Sequence, residues 1–163
     1  RQGPMHSTRF AARTLGRYDP TGAGRGATRE ADGTSGIHTH MTNTRLTDVE
    51  VIERRYPVRI REFSLRRGSG GDGKHRGGEG VVRKIEFLKP LKVSMLSERR
   101  GPYPPFGLEG GEPGSLGRNS VQRSERTENR ADDLGGEFAI AAQPGDILTV
   151  ETPGGGGFGS QSE

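Results

Sequence analysis

Residues Val81–Met95, VVRKIEFLKPLKVSM, contain the clearest structural pattern in the chain. Side chains alternate between the two faces of a β-strand, so apolar residues at every second position indicate a half-buried strand. The alternating positions are Val81, Arg83, Ile85 and Phe87 in the first run, and Leu91, Val93 and Met95 in the second. Lys89-Pro90 lies between them. This stretch predicts two strands around a short turn.

Three other runs extend the β pattern. Residues 58–67 alternate and then change phase near Glu62, which predicts a strand with a bulge. Phe138–Ile140 and Ile147–Val150 are separated by Pro144-Gly145-Asp146, where proline presets φ and glycine tolerates a positive φ. These last two runs are predicted to form a final pair of strands.

One short helix is predicted at residues 48–55. Thr47 and Glu50 have the spacing of a capping box, in which hydroxyl and carboxylate satisfy the first helical turn. Val49 and Ile52 lie three residues apart on one face, and Pro57 disfavours further helix. The predicted fold class is therefore mainly β, with one short helix and long glycine-rich loops.

The composition predicts that much of the chain is loop. Only 28% of the 163 residues are hydrophobic, 28 are glycine and 10 are proline, and the mean hydropathy is -0.81. Residues 1–32 show no sustained period and are predicted to be a disordered or non-native tail. Residues 99–118 are expected to form an ordered functional loop, and residues 118–133 an exposed excursion.

Charge and cysteine content exclude several classes. The net charge is +4, but acidic residues are interleaved with the basic ones and no aromatic-studded basic strand occurs, so nucleic acid is not an expected partner. The chain has no cysteine, which excludes a disulfide framework and a thiolate nucleophile. No apolar run approaches the roughly 20 residues of a membrane helix. We expect a cytoplasmic protein without a membrane partner.

The segment His38–Arg45, HTHMTNTR, concentrates side chains that can carry chemistry. In an extended segment His38 and His40 lie on one face, where they could bind a metal, share a proton or orient an anionic substrate. The alternative is a pair of hydrogen-bonded structural imidazoles. Asn43 and Arg45 could hold a substrate amide and carboxylate, or act locally as a turn residue and a solvated cation. A catalytic metal usually needs three protein ligands, and two histidines are too few. The sequence therefore does not predict whether the site binds a metal.

The glycine runs have two readings. Residues 68–73 could form an anion nest from bare backbone N–H groups, but they lack the spacing of a nucleotide-binding loop and favour tight turns. Residues 154–157 could allow close backbone approach or form a flexible end. His75, in the turn after the first run, is expected at the surface. No residue of this chain is predicted to bind a cofactor.

Several glycine-rich segments in a fixed order resemble one family. They are HTHMTNTR at 38–45, RRGSGGDG at 66–73, RGGEGV at 76–81, ERR at 98–100, the loop 103–113, and TPGGGGFG at 152–159. In this order they resemble the carboxy-terminal part of the hydantoinase B/oxoprolinase family, and most closely its ATP-hydrolysing 5-oxoprolinase branch. The resemblance covers residues 33–159 and leaves 160–163 as a tail. Members are several times longer, so we expect a fragment of a larger domain with disordered ends.

The resemblance implies an activity and its partners. It implies ATP-dependent hydrolysis of the 5-oxo-L-proline lactam to L-glutamate in glutathione metabolism, by a full-length homo-oligomer. ATP and Mg²⁺ would be used by a hydantoinase A-like part of the same protein or complex, so the chain alone is expected to be inactive. His38, His40, Asn43 and Arg45 would belong to the active site. The alternatives are a non-catalytic remnant or interaction module, and part of a related hydantoinase or carboxylase.

Overall fold

The computed structural model describes residues 6–12, 15–38, 46–125 and 131–161. The described elements are β1 (His6–Ala12), β2 (Leu15–Pro20), α1 (Val49–Arg55), β3 (Val58–Arg66), β4 (Gly80–Phe87), β5 (Leu91–Ser97), β6 (Arg118–Gln122), β7 (Ala131–Asp133), β8 (Glu137–Ala142) and β9 (Ile147–Glu151). The prediction of a mainly β fold with one short helix is confirmed.

Two antiparallel sheets pack face to face. One has the strand order β2-β1-β5-β8 and the other the order β3-β4-β9-β6-β7. Their inner faces meet in an apolar core, in which the rings of Phe10 and Phe87 contact edge to face with centroids 6.0 Å apart. Leu148 and Val93 are also fully buried there. Alternating buried residues on β4, β5 and β9 supply much of these inner faces.

The helix and the bulge are confirmed in position. α1 spans Val49–Arg55 and buries Ile52 against the core. Its N-cap is Asp48, whose carboxylate accepts a hydrogen bond from the N–H of Glu50 at 2.9 Å, and not the predicted Thr47. Aspartate is at least as good a cap as threonine, so the capping box was the wrong choice. The pairing of β3 with β4 shifts between Ile60 and Glu62, as predicted.

The strands predicted around the two short turns are present, but the two strands joined by each turn do not pair with each other. β4 pairs with β3 and β9, whereas β5 pairs with β1 and β8, so the short connection after Phe87 crosses from one sheet to the other. β8 and β9 are divided between the sheets in the same way. A strand has the same alternating pattern whether it pairs with the next strand in the sequence or with a strand distant in the sequence. The pattern therefore identified the strands but not their partners.

Two segments predicted to lack structure contain strands. Residues 6–12 and 15–20, within the expected disordered tail, form β1 and β2, and Phe10 of β1 is 1% exposed. Residues 118–133, the expected exposed excursion, contain β6 and β7. Their buried residues are largely polar, such as Asn119, and an apolar pattern cannot reveal them. The side chain of Asn119 is satisfied instead by hydrogen bonds with Ser97, Arg100 and Gly135.

Candidate active site

Four glycine-rich loops emerge at one end of the sandwich, which we call the glycine end. They span residues 21–36, 68–79, 98–117 and 152–159. Their backbones are bonded directly to one another: the N–H of Gly71 donates to the carbonyl of Gly155 at 2.8 Å, and the N–H of Gly155 donates to Gly78 at 2.8 Å. Gly78 in turn donates to Arg25 at 2.8 Å. The loops therefore form one hydrogen-bonded layer.

Glycine is required in this layer because the backbones touch. A Cβ atom on Gly154 would overlap the carbonyl oxygen of Ser69, and one on Gly155 would overlap that of Arg25. Residues 154–157 are all buried. Of the two readings of this run, close backbone approach is confirmed.

The predicted active-site segment begins beside this layer. Ile37 exchanges two backbone hydrogen bonds with Ala23, and the N–H of Gly36 donates to the carbonyl of Glu79 at 2.9 Å, just before β4. His38 follows directly and is partly buried. His40, Asn43 and Arg45 lie outside the described residues, so the structure neither brings the four predicted site residues together nor separates them.

A buried ion-pair cluster joins the two sheets near the glycine end. The carboxylate of Asp19 on β2 accepts hydrogen bonds from Arg83 on β4 and, at 2.9 Å, from Arg17. Asp19 and Arg83 are 1% and 2% exposed. Burial lowers the pKa of the Arg83 guanidinium, the carboxylate of Asp19 opposes that shift, and the positive charge of Arg17 adds to it. One carboxylate thus serves two guanidinium groups, and a positive charge is left over.

A second polar cluster is built around Arg100. Its guanidinium donates to Nδ1 of His6 at 2.8 Å, to the side-chain oxygen of Asn119 at 3.2 Å and to the carbonyl of Glu151 at 3.1 Å. Burial lowers the pKa of Arg100 to about 9, with a further contribution from the positive charge of Arg66, while Glu151 opposes the shift. The carboxylate of Glu151 itself pairs with Arg66 at 3.3 Å. Arg66 forms an ion pair with this carboxylate, whereas Arg100 bonds the backbone carbonyl of Glu151, so two guanidinium groups lie near one carboxylate.

Glu79 connects the loops to β4. Its carboxylate accepts hydrogen bonds from the N–H of Ser69 at 2.8 Å and from the Ser69 hydroxyl at 3.0 Å. Burial raises the pKa of Glu79, but hydrogen bonds from Ser69 and from the glycines on either side of it outweigh that effect, so the net pKa lies below its ordinary value. Glu79 is therefore a stable anion that fixes the loop 68–79.

His75 occupies a position between surface and interior. Its backbone is bonded in both directions to Phe158, and its Nδ1 lies 3.5 Å from the carboxylate of Asp32. The side chain is 24% exposed, so His75 is partly buried and not fully at the surface as predicted. No three His, Asp or Glu side chains of the described residues come together as a metal site requires.

Sequence reasoning missed the two buried clusters. Arg83 carried a usable signal, since it occupies an inward position in an otherwise apolar alternating run. An inward arginine requires a buried partner. That partner is Asp19, which lies within residues 1–32. Because these residues were predicted to be a disordered tail, the sequence did not suggest Asp19 as the partner of Arg83.

His6 should make the stability of the chain depend on pH. Burial, and then the charge of Arg100, hold the pKa of His6 well below its ordinary value of 6.5. Below about pH 6.5 the unfolded chain binds a proton that folded His6 does not, so the free energy of unfolding should fall as the pH drops from 7 towards 5. The slope should approach about 1.4 kcal/mol per pH unit.

The measurement is urea unfolding followed by circular dichroism at several pH values. His6→Asn keeps an acceptor for Arg100 and removes the titrating group, so its slope between pH 7 and 5 should be clearly shallower. Equal slopes in both proteins would contradict a neutral buried His6.

Comparison with known proteins agrees with the sequence resemblance and extends it. The family model for hydantoinase B/oxoprolinase matches residues 1–161. 5-Oxoprolinase 1 of Arabidopsis thaliana is 49% identical over 159 residues, which are 98% of this chain and 12% of that protein. 5-Oxoprolinase of Dictyostelium discoideum is 46% identical over 160 residues, again 98% of this chain and 12% of the relative. The chain thus spans about an eighth of the length of these relatives.

Solved structures show the same fold. The ATP-dependent caprolactamase from Pseudomonas jessenii superposes with a TM-score of 0.80 at 24% identity, covering 96% of this chain and 28% of that one. Nucleotide-free acetone carboxylase superposes with a TM-score of 0.70 at 18% identity, covering 96% and 25%. At these identities the likeness concerns the fold alone. The family model and the closely similar relatives establish that the chain belongs to the hydantoinase B/oxoprolinase family.

Proposed function

We propose that this chain is part of an ATP-dependent enzyme that hydrolyses 5-oxo-L-proline to L-glutamate. The observation that carries the proposal is the identity of 49% and 46%, across 98% of the chain, with two proteins named 5-oxoprolinase. Hydrolysis of this lactam would place the protein in glutathione metabolism, in the cytoplasm. Among the described residues, no helix is long and apolar enough to cross a membrane.

The charges at the glycine end suit an anionic substrate. Arg17 and Arg83 share the carboxylate of Asp19, and Arg66 and Arg100 both lie near the carboxylate of Glu151, which leaves positive charge in both clusters. Such a field attracts anions. 5-Oxo-L-proline carries a carboxylate, whereas caprolactam does not. The two clusters thus favour 5-oxo-L-proline over a neutral lactam.

ATP and Mg²⁺ are proposed to act in a hydantoinase A-like part of the same protein or complex. ATP would supply phosphorylation of the amide oxygen, which makes ring opening feasible. The described residues fit a supporting role, since their glycine loops are filled by backbone contacts and Glu79 is already occupied by Ser69. We therefore propose that the isolated chain is inactive and that the full-length enzyme is a homo-oligomer.

The substrate test uses a full-length protein that contains this segment. Glutamate release from 5-oxo-L-proline with ATP should exceed ring opening of caprolactam by at least about 10² in kcat/KM, because a site that pairs a substrate carboxylate rejects an analogue without it. Hydantoin, and acetone with bicarbonate, are the other substrates to compare. Faster conversion of either one would favour the hydantoinase or carboxylase alternative. Failure of all of them would favour a non-catalytic module.

The segment from His38 to Arg45 is proposed to contribute to this active site. In the full-length enzyme, His40→Ala should lower kcat by about 10² or more if the imidazole transfers a proton or positions a reacting group. Thermal stability should stay at the parental value, since a histidine that faces substrate leaves no buried partner unpaired. Asn43 and Arg45 are proposed to hold the substrate amide and carboxylate, so their alanine variants should raise KM.

His75→Ala is the matched control, because it also removes an imidazole near the glycine end. It should keep turnover within a few-fold of the parent. If His40→Ala retains parental turnover and stability, the assignment of His40 is wrong, and His38 and Arg45 become the candidates. Joint loss of stability and activity would indicate a structural histidine instead.

A further inference from the structure

The loop from Pro102 to Leu108, PYPPFGL, presents apolar side chains to solvent at the glycine end. Tyr103 is 76% exposed, Phe106 is 66% exposed and Leu108 is 49% exposed. Single exposed apolar residues are ordinary on protein surfaces, but three large exposed apolar side chains within six positions of one loop are typical of an interaction site. We call these three side chains the loop patch.

The backbone under the loop patch is held in place from both ends. The carbonyl of Pro105 accepts from the N–H of Gly114 at 2.8 Å, and the N–H of Leu108 donates to the carbonyl of Gly157 at 3.0 Å. The carbonyl of Leu108 accepts from Gly159 at 2.9 Å. Prolines at 102, 104 and 105 fix φ and restrict the residues before them to extended backbone. The loop is therefore rigid before any partner binds.

The apolar side chains cannot turn inwards. On the inner side of the loop lies the run of buried glycines, and a Cβ atom on Gly156 would already overlap the carbonyl oxygen of Phe106. No space is left between these backbones for a phenyl or phenol ring. At the end of the loop Glu109 adopts a positive φ of 49°, a conformation that non-glycine residues rarely adopt. The loop thus keeps its rings outside within a fixed frame.

We propose that the loop patch is a docking surface for the remainder of the longer polypeptide to which this segment belongs. The relatives are far longer than the chain, which covers 12% of each 5-oxoprolinase, so most of the protein lies outside this sandwich. The proposal rests on that difference in length and not on the proposed reaction. A rigid patch loses little conformational entropy when it docks, which favours binding.

The size of the loop patch favours the same polypeptide over a second copy. A fully buried aromatic side chain contributes roughly 150–250 Å², so two partly exposed rings and one leucine offer on the order of 400 Å². A specific interface between separate proteins buries about 800 Å² on each partner. Covalent linkage raises the effective concentration to the millimolar range and makes a smaller contact sufficient. Arg99 lies at one end of the patch, where its guanidinium donates to the carbonyl of Tyr103 at 3.5 Å, and the exposed carboxylates of Glu109 and Glu112 follow the other end. The docking partner should therefore be an apolar hollow with charged residues of both signs at its rim.

Hydroxyl-radical footprinting of the native full-length protein tests the contact directly. Oxidation rates of Tyr103 and Phe106 are measured by mass spectrometry and compared with the same protein unfolded in urea. A covered patch should react at least about tenfold more slowly than in the unfolded protein. If the oxidation rates in the native protein lie within twofold of those in the unfolded protein, both side chains are still exposed to solvent. That result would overturn the proposal.

A double variant identifies the occupant. Tyr103→Ser with Phe106→Ser should increase, by at least tenfold, the rate at which limited proteolysis releases the sandwich from the rest of the full-length protein. Leu88→Ser is the matched control, because Leu88 is 42% exposed and lies on the β4–β5 connection, away from the glycine end. It should leave the rate of release unchanged. The molar mass of the native protein, measured by light scattering, should be the same for the parent and both variants.

Two other outcomes would contradict the proposed occupant. If the double variant halves the molar mass without faster release of the segment, the patch contacts a second copy. If it only raises KM for a cyclic amide, with the rate of proteolytic release unchanged, the patch contacts substrate. Neither the footprint nor the proteolysis requires catalytic activity, so failure of this proposal is separable from failure of the proposed function.

Discussion

Gly154→Ala is expected to unfold the glycine end. A Cβ atom at this position would overlap the carbonyl group of Ser69 and lie 2.7 Å from the backbone nitrogen of Gly70. Ser69 cannot move away, because its carbonyl accepts from Ser115 at 2.7 Å and its N–H and hydroxyl both donate to Glu79. Relief of the overlap therefore requires several hydrogen bonds to break at once. We expect the free energy of unfolding to fall by about 4 kcal/mol or more, at the upper end for a single substitution.

Gly16→Ala is the control for this substitution. Gly16 lies in β2, and a Cβ atom there would have nothing within 4 Å. The alanine should change the free energy of unfolding by no more than about 1 kcal/mol, and could raise it by reducing the entropy of the unfolded chain. Urea unfolding followed by circular dichroism measures both variants. Equal stability of Gly154→Ala and the parent would show that the loops can separate, and the close-packed layer would be wrong.

The strands were predictable from the sequence and their arrangement was not. Alternation along Val81–Phe87 and Leu91–Met95 is a local property that follows from one buried face, and both strands are where the pattern placed them. Whether a strand pairs with its neighbour or crosses to a second sheet depends on contacts distant in sequence. The length of the connection does not distinguish the two cases, because a short connection can join strands of one sheet or of two packed sheets.

Polar segments hid the remaining structure. β6 buries Asn119, whose side-chain amide donates to Ser97 at 2.9 Å and to the carbonyl of Gly135 at 2.7 Å. A residue satisfied in this way adds nothing to an apolar pattern, so the segment looks exposed in the sequence. The glycine loops posed a related difficulty. Glycine runs are compatible with turns, flexible ends or close contact, and only the neighbouring backbones distinguish these cases.

The family assignment succeeded where local patterns did not, because it uses the order of several segments at once. Its limit was the amino-terminal part, where the matched segments begin at Gly33 but the family model covers residues 1–161. The strands β1 and β2 in that part supply His6 and Asp19 to the two buried clusters. The described part of the site therefore depends on residues that sequence reasoning had set aside.

Asp19→Ala should be the most damaging change to the contact between the two sheets. The carboxylate is 1% exposed and accepts from Arg83 and Arg17, so its removal leaves a buried guanidinium without a counter-charge. Breaking a buried ion pair from one side costs about 3–5 kcal/mol. The second substitution Arg83→Met, added to Asp19→Ala, removes the unpaired charge and should recover part of that loss.

The comparison of single and double variants separates charge from packing. If the loss in Asp19→Ala comes from the unpaired charge of Arg83, the double variant must be more stable than the single one in urea unfolding. If the loss comes only from missing contacts, the double variant must be less stable, because it removes a second large side chain. Asp72→Ala breaks the exposed pair with Arg76, whose side chains are 51% and 58% exposed, and should cost no more than about 0.5 kcal/mol. A similar cost for Asp72→Ala and Asp19→Ala would show that the Asp19 pair does not hold the two sheets together.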